Sequence, residues 1–81
     1  MAQVEKLLRY IADSLVEAPE QVSIEKEAEG PEDVYTLLLA PDDLGRLIGR
    51  HGKTAEALRT LLSAVGRREE RKVSLRIREH E

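Results

Sequence analysis

The sequence contains no cysteine, no tryptophan and no phenylalanine among its 81 residues. Without cysteine there is no disulfide, no thiolate nucleophile and no cysteine-ligated zinc, a pattern that fits a reducing compartment. Tyr10 and Tyr35 are the whole aromatic inventory. Stacking of bases on aromatic rings, a common grip of single-strand binders, is therefore nearly excluded. No apolar run approaches the roughly 18 residues of a membrane span, so none is expected. The amino-terminal MAQVEKLLRY is amphipathic and lacks a basic segment followed by an apolar one, so no signal peptide is expected. Asparagine is absent and Met1 is the sole methionine. This scarcity of labile residues is similar to a thermophile's composition.

What is present is aliphatic and charged. Hydrophobic residues make up 41% of the chain, led by 12 leucines. That is enough for one modest core in one domain over residues 1–81, with little margin of stability. The net charge of −3 argues at first against a polyanionic partner. Its distribution argues the other way. Residues 1–44 hold three Lys/Arg against 11 Asp/Glu, a net −8, and residues 45–81 hold ten against five, a net +5. Such asymmetry points to a polyanion-facing surface or to two halves that neutralise each other across the fold. Arg outnumbers Lys nine to four, and guanidinium suits planar phosphate contacts.

Val4, Leu7, Leu8, Ile11 and Leu15 recur at helical spacing, which predicts an amphipathic helix stopped by Pro19. Val22 and Ile24 alternate with Ser23 and Glu25, as in a half-buried strand. Glu29 to Asp33 reads as an acidic, turn-rich loop, and Val34 to Ala40 as a central strand, the pair forming a hairpin. Pro41-Asp42-Asp43 opens a short helix, with proline at its first position and acids in its first turn. Asp42 stands four residues before Arg46, a helix-supporting spacing. Leu44, Leu47 and Ile48 form the apolar side, and Gly49 ends the helix. A further helix begins after Gly52, carries Ala55, Leu58, Leu61, Leu62 and Val65 on one face, and closes at Gly66. Arg67 to Arg71 reads as a charged connector. Val73, Leu75 and Ile77 alternate with Ser74, Arg76 and Arg78 in a last strand. The order is α-β-β-α-α-β. The crossover is long enough to make the last strand parallel to the central one. With so few elements, the helices are expected on one face of a three-stranded mixed sheet, an α+β fold. Arg76 and Arg78 then lie on the opposite, solvent face. Tyr10 and Tyr35 read as packing at the edge of the core.

The informative stretch runs from Gly45 to Thr54, GRLIGRHGKT. It is not a Walker A loop, because the position that needs the first glycine is Leu47 and a helix precedes the loop. It is not a dinucleotide fingerprint, because the glycines are spaced four then three. What remains is a helix, Gly49-Arg50-His51-Gly52, and a second helix. The two glycines leave no Cβ in the way, so a sugar-phosphate chain can lie against the backbone. Free N–H groups at the start of the following helix attract an anion. Arg50, and His51 in part, add charge at the tip, and Lys53 and Arg46 extend the cationic edge. Leu47 and Ile48 offer an apolar floor for bases.

This arrangement resembles the KH domain, whose Gly-X-X-Gly loop clamps the backbone of a single strand. The resemblance covers the whole chain. It rests on the glycine pair between two helices inside β-α-α-β, and on the apolar-striped helix that follows. The additional helix and strand at the amino-terminal side are those of the type II, bacterial form. The small stand-alone bacterial KH proteins, the KhpA family, are the most similar group. The resemblance implies a cytoplasmic, single-stranded RNA-binding protein of the RNA chaperone or post-transcriptional regulator kind. The site it implies is Arg46, Leu47, Ile48, Gly49, Arg50, His51, Gly52 and Lys53. It also implies pairing with itself or with a larger KH-domain protein, and it makes Glu29 to Asp33 the variable loop opposite the glycines. The acidity of that loop departs from what a phosphate groove favours. The alternative reading is a protein–protein adaptor with a KH fold and little RNA binding. Gly45 and the leucines of the post-loop helix mark the helix pair as the candidate pairing surface, beside the RNA groove.

No enzyme is expected. His51 and His80 have no metal-ligand spacing, and Ser14, Ser23, Ser63 and Ser74 lack a motif-borne base. No cofactor, small-molecule substrate or membrane partner is called for.

Overall fold

The computed structural model describes residues 3–81. Met1 and Ala2, the first residues of the expected domain, lie outside the described residues. Helix α1 (Gln3–Leu15) is followed by a 3-10 turn, Pro19–Gln21, and by strands β1 (Ser23–Glu29) and β2 (Glu32–Leu39). A second 3-10 turn, Pro41–Asp43, leads into α2 (Leu44–Ile48). Then come α3 (Lys53–Arg68) and β3 (Lys72–Glu79). The sheet order is β1-β2-β3, with β1 antiparallel and β3 parallel to the central β2. The expected α+β architecture, helices on one face of a mixed sheet, is the one formed.

Register decides which residues face the helices. Tyr35 stands opposite Leu75, and Leu37 stands between Ile24 and Ile77. With Leu39 they meet Leu8 of α1, Leu47 of α2, and Leu58 and Leu62 of α3 in one core. Leu8, Leu37, Leu39, Leu47 and Leu62 are fully buried, each contributing about 1.5–3 kcal/mol. Tyr35 is fully buried in this core, with Lys26 Nζ 5.9 Å from its ring centroid, while Tyr10 is 72% exposed. The opposite sheet face is open. By register its β1 side carries Glu25, Glu27 and Glu29, its centre Val34, Thr36 and Leu38, and its β3 side Lys72, Arg76 and Arg78.

Two expectations about connections are corrected. The acidic loop is a tight turn, since Glu29 pairs with Glu32 and only Gly30 and Pro31 lie between the strands. Asp33 belongs to β2 and is buried on the helix side. There it accepts a hydrogen bond from Arg71 at 2.5 Å and has Lys26 at 3.8 Å. That Arg71 bond, against the opposing effect of burial, holds the Asp33 carboxyl below its ordinary value. Gly66 does not close α3, which runs on to Arg68. A Cβ at Gly66 would lie 2.9 Å from the Arg71 carbonyl oxygen and strike the Val73 side chain. Glycine is there to let β3 start close to the helix. The left-handed residue that ends the helix is Glu70, with φ of 59°.

Candidate nucleic-acid interface

The interface is built on α2 and the start of α3. Asp43, at the entry to α2, is only 2% exposed. Its carboxylate accepts backbone N–H groups of Glu17 at 3.0 Å and Ala18 at 3.1 Å. It also pairs with Arg46 Nε at 3.1 Å. The Glu17 hydrogen bond, with those of Ala18 and Arg46 and against burial, holds the Asp43 carboxyl below its ordinary value. Asp43 is therefore not a cap of its own helix. It fastens the connector after α1 to the base of α2. Arg46 pairs with Asp43 and with Glu17 rather than with Asp42. The expected (i, i+4) pair is replaced because Asp43, not Asp42, points inward.

α2 lasts just over one turn and delivers the loop. Leu47 is fully buried in the core, so it cannot be the apolar floor expected of it. Ile48 is 37% exposed and remains beside the loop. Gly49 has φ of 77° and ψ of 172°, a region open essentially to glycine alone. Its Cα rests on the first turn of α3. A Cβ there would lie 2.6 Å from Thr54 Cβ and 2.8 Å from Thr54 N. His51 (φ 56°, ψ 27°) and Gly52 (φ 73°, ψ 12°) are both left-handed, a conformation that histidine tolerates better than most side chains. Gly52 N–H donates to Gly49 carbonyl oxygen at 3.1 Å, closing the loop. The side chains of Arg50, His51 and Lys53 are exposed, and no side chain caps the start of α3. The loop is thus a bare, backbone-lined corner with cations at its tip.

From His51 and Gly52 a cleft of about 910 Å³ extends along α3 to the start of β3. Glu56, Arg59, Thr60, Ser63 and Arg67 form its helical wall. Lys72 and Val73 stand at its far end. Arg59 and Arg67 were not legible as site residues in the linear motif. The signal for the wall was present as a polar stripe at i, i+3, i+4, i+7 and i+11, adjoining the apolar stripe of the same helix. Among the described residues no cluster of His, Asp or Glu could hold a metal ion, and no helix is long and apolar enough to cross a membrane.

The sequence model of the family described as KhpA/KhpB, KH domain, covers residues 5–77. The chain belongs to the KhpA/KhpB KH-domain family. It is 43% identical over 77 residues to a Chlamydia trachomatis protein named RNA-binding protein KhpA, covering 94% of this chain and 97% of the relative. The proteins of the same name from Chlamydia caviae and Listeria monocytogenes are 47% and 40% identical, over 89% and 91% of this chain and 92% and 97% of theirs. These relatives are named for binding RNA and not for an enzymatic activity.

Proposed function

We propose that this protein is a cytoplasmic single-stranded RNA-binding protein that clamps the RNA backbone at Gly49-Arg50-His51-Gly52. The observation that carries the reading is the loop itself. Gly49 and Gly52 hold backbone conformations that favour glycine, the space at the Gly52 Cβ position is open, and the exposed Arg50 and Lys53 put cations at the same corner, beside His51. Phosphates can approach the uncapped start of α3 without meeting a Cβ. The strand then continues into the cleft along α3, which Arg59 and Arg67 line. Ile48 supplies apolar contact beside the loop. Arg46 serves mainly to fix α2 through Asp43 and Glu17, and Leu47 serves the core. Such a clamp, small and light on base contacts, suits an RNA chaperone or post-transcriptional regulator. The names of the relatives support the RNA partner.

The test is charge reversal at the tip. Arg50→Asp with His51→Asp leaves both glycines in place. Affinity for a single-stranded RNA nonamer should fall at least tenfold while the circular dichroism spectrum stays that of the wild type. Unchanged affinity in the folded double variant would remove the loop from the site.

A second role, pairing with another KH chain, is favoured by one feature. Leu61 does not join Leu62 in the core and is 50% exposed. Ala57 and Ala64, also exposed, share its side of α3 at helical spacing. This uncharged ridge lies on a different side of α3 from the cleft wall, so a second copy or a larger KH-domain protein seated on it leaves the cleft open.

A further inference from the structure

Arg59 sits two turns into α3, about 10 Å along the helix from Gly52 at 1.5 Å per residue. Its Nε donates to the carbonyl oxygen of Leu75 in β3 at 3.3 Å. β3 is an edge strand, so this carbonyl has no strand partner on that side and the guanidinium takes its place. The bond fixes the plane of the guanidinium against the sheet edge. Its Nη groups have no protein partner among the described residues, and the side chain lines the cleft that begins at the loop. The free cationic side chains at the tip, Arg50 and Lys53, carry no such tether.

A guanidinium has donors only. One donor is spent on Leu75, and the remaining fork matches two adjacent acceptors. Among the bases, guanine offers O6 and N7, and cytosine offers O2 and N3. Adenine sets its amino donor beside N7 and beside N1, so one arm of the fork would face another donor. Uracil separates its two oxygens by the N3–H donor.

We propose that Arg59 is a specificity-determining residue of the RNA cleft, selecting a base with two adjacent acceptors, guanine or cytosine, over adenine and uracil. This rests on the RNA-binding reading above. The clamp at the loop supplies affinity that is blind to sequence, and Arg59 reads a base beyond it.

The experiment uses fluorescence anisotropy with labelled nonamers of UUG, UUC and UUA repeats, which differ at every third base only. The wild type should bind the UUG or the UUC nonamer about tenfold more tightly than UUA, the scale of a bidentate base contact. The two arms tell guanine from cytosine. Arg59→Lys keeps the charge but not the planar fork. It should bring the preferred nonamer to within about twofold of UUA. Equal wild-type affinity for all three, or a preference that survives in Arg59→Lys, overturns the proposal while leaving RNA binding intact. Failure of the wild type to bind any nonamer overturns both.

Discussion

Three glycines of the loop region face different constraints, and alanine at each should separate them. At Gly49 two costs combine. The backbone at φ 77°, ψ 172° is closed to residues with a Cβ, a strain of about 1–3 kcal/mol. The added Cβ would also lie 2.8 Å from the Thr54 backbone nitrogen, which cannot rotate away. Forced overpacking of this kind costs about 1–3 kcal/mol more. Gly49→Ala should therefore lose about 2–6 kcal/mol, a large part of what a domain of this size has at roughly 0.05–0.15 kcal/mol per residue. Gly52 is left-handed, but its Cβ position is open, so Gly52→Ala should lose only about 1–2 kcal/mol. Gly45 lies in α2 with nothing near its Cβ position. Gly45→Ala should gain about 0.5–1 kcal/mol through helix propensity. Urea unfolding followed by circular dichroism gives all three values. If Gly49→Ala is no less stable than Gly52→Ala, the account of why the loop needs its first glycine is wrong.

Other outcomes follow from the charges and from the exposed ridge. Asp33 and Asp43 have depressed carboxyl pKa values in the folded state. Their stabilisation is present above the unfolded aspartate value of about 3.9 and is lost as pH falls through the lower folded values. Acid unfolding should therefore steepen below about pH 4, and Asp33→Asn should flatten that dependence in a circular dichroism titration. Salt should weaken RNA binding only moderately. If roughly two or three phosphates are neutralised at the clamp, log affinity against log salt should have a slope near −1.4 to −2. A slope several times steeper would bring Arg76 and Arg78 of the open sheet face into the footprint. Leu61→Asp should leave stability within about 0.5 kcal/mol, because the side chain is half exposed, and should abolish self-association in sedimentation equilibrium. A wild type that is monomeric across a hundredfold concentration range would rule out self-pairing through this ridge.

Periodicity carried most of the fold. The stripes of α1 and α3 and the alternation of β3 are local patterns that burial on one face demands, and the structure follows them except at Leu15 and Leu61, which are exposed. The misreadings arose where a distant partner decides. Asp33 looked like a loop residue because an acid rarely enters a core, and only Arg71, far along the chain, makes its burial tolerable. Gly66 looked like a helix terminator because its reason for being glycine is the close approach of β3. Leu47 and Leu61 exchanged expectations. A helix of five residues gives too short a pattern to fix which side faces inward, and the adjacent leucines at 61 and 62 can be separated only by docking α3 onto the sheet. The loop was legible because its chemistry is contiguous in the chain. The cleft beyond it was not, because Arg59 and Arg67 meet the start of β3 only when α3 lies beside the edge of β3.

The central claim is that RNA lies on the loop and along α3. Nuclear magnetic resonance of the isotope-labelled protein, titrated with a single-stranded RNA nonamer, locates it directly. The amides of Gly49 to Lys53 should shift most, followed by those of Arg59, Thr60 and Ser63, with Glu25, Thr36 and Arg76 on the open sheet face unmoved. Shifts confined to the open sheet face, with the loop amides unmoved, would contradict it.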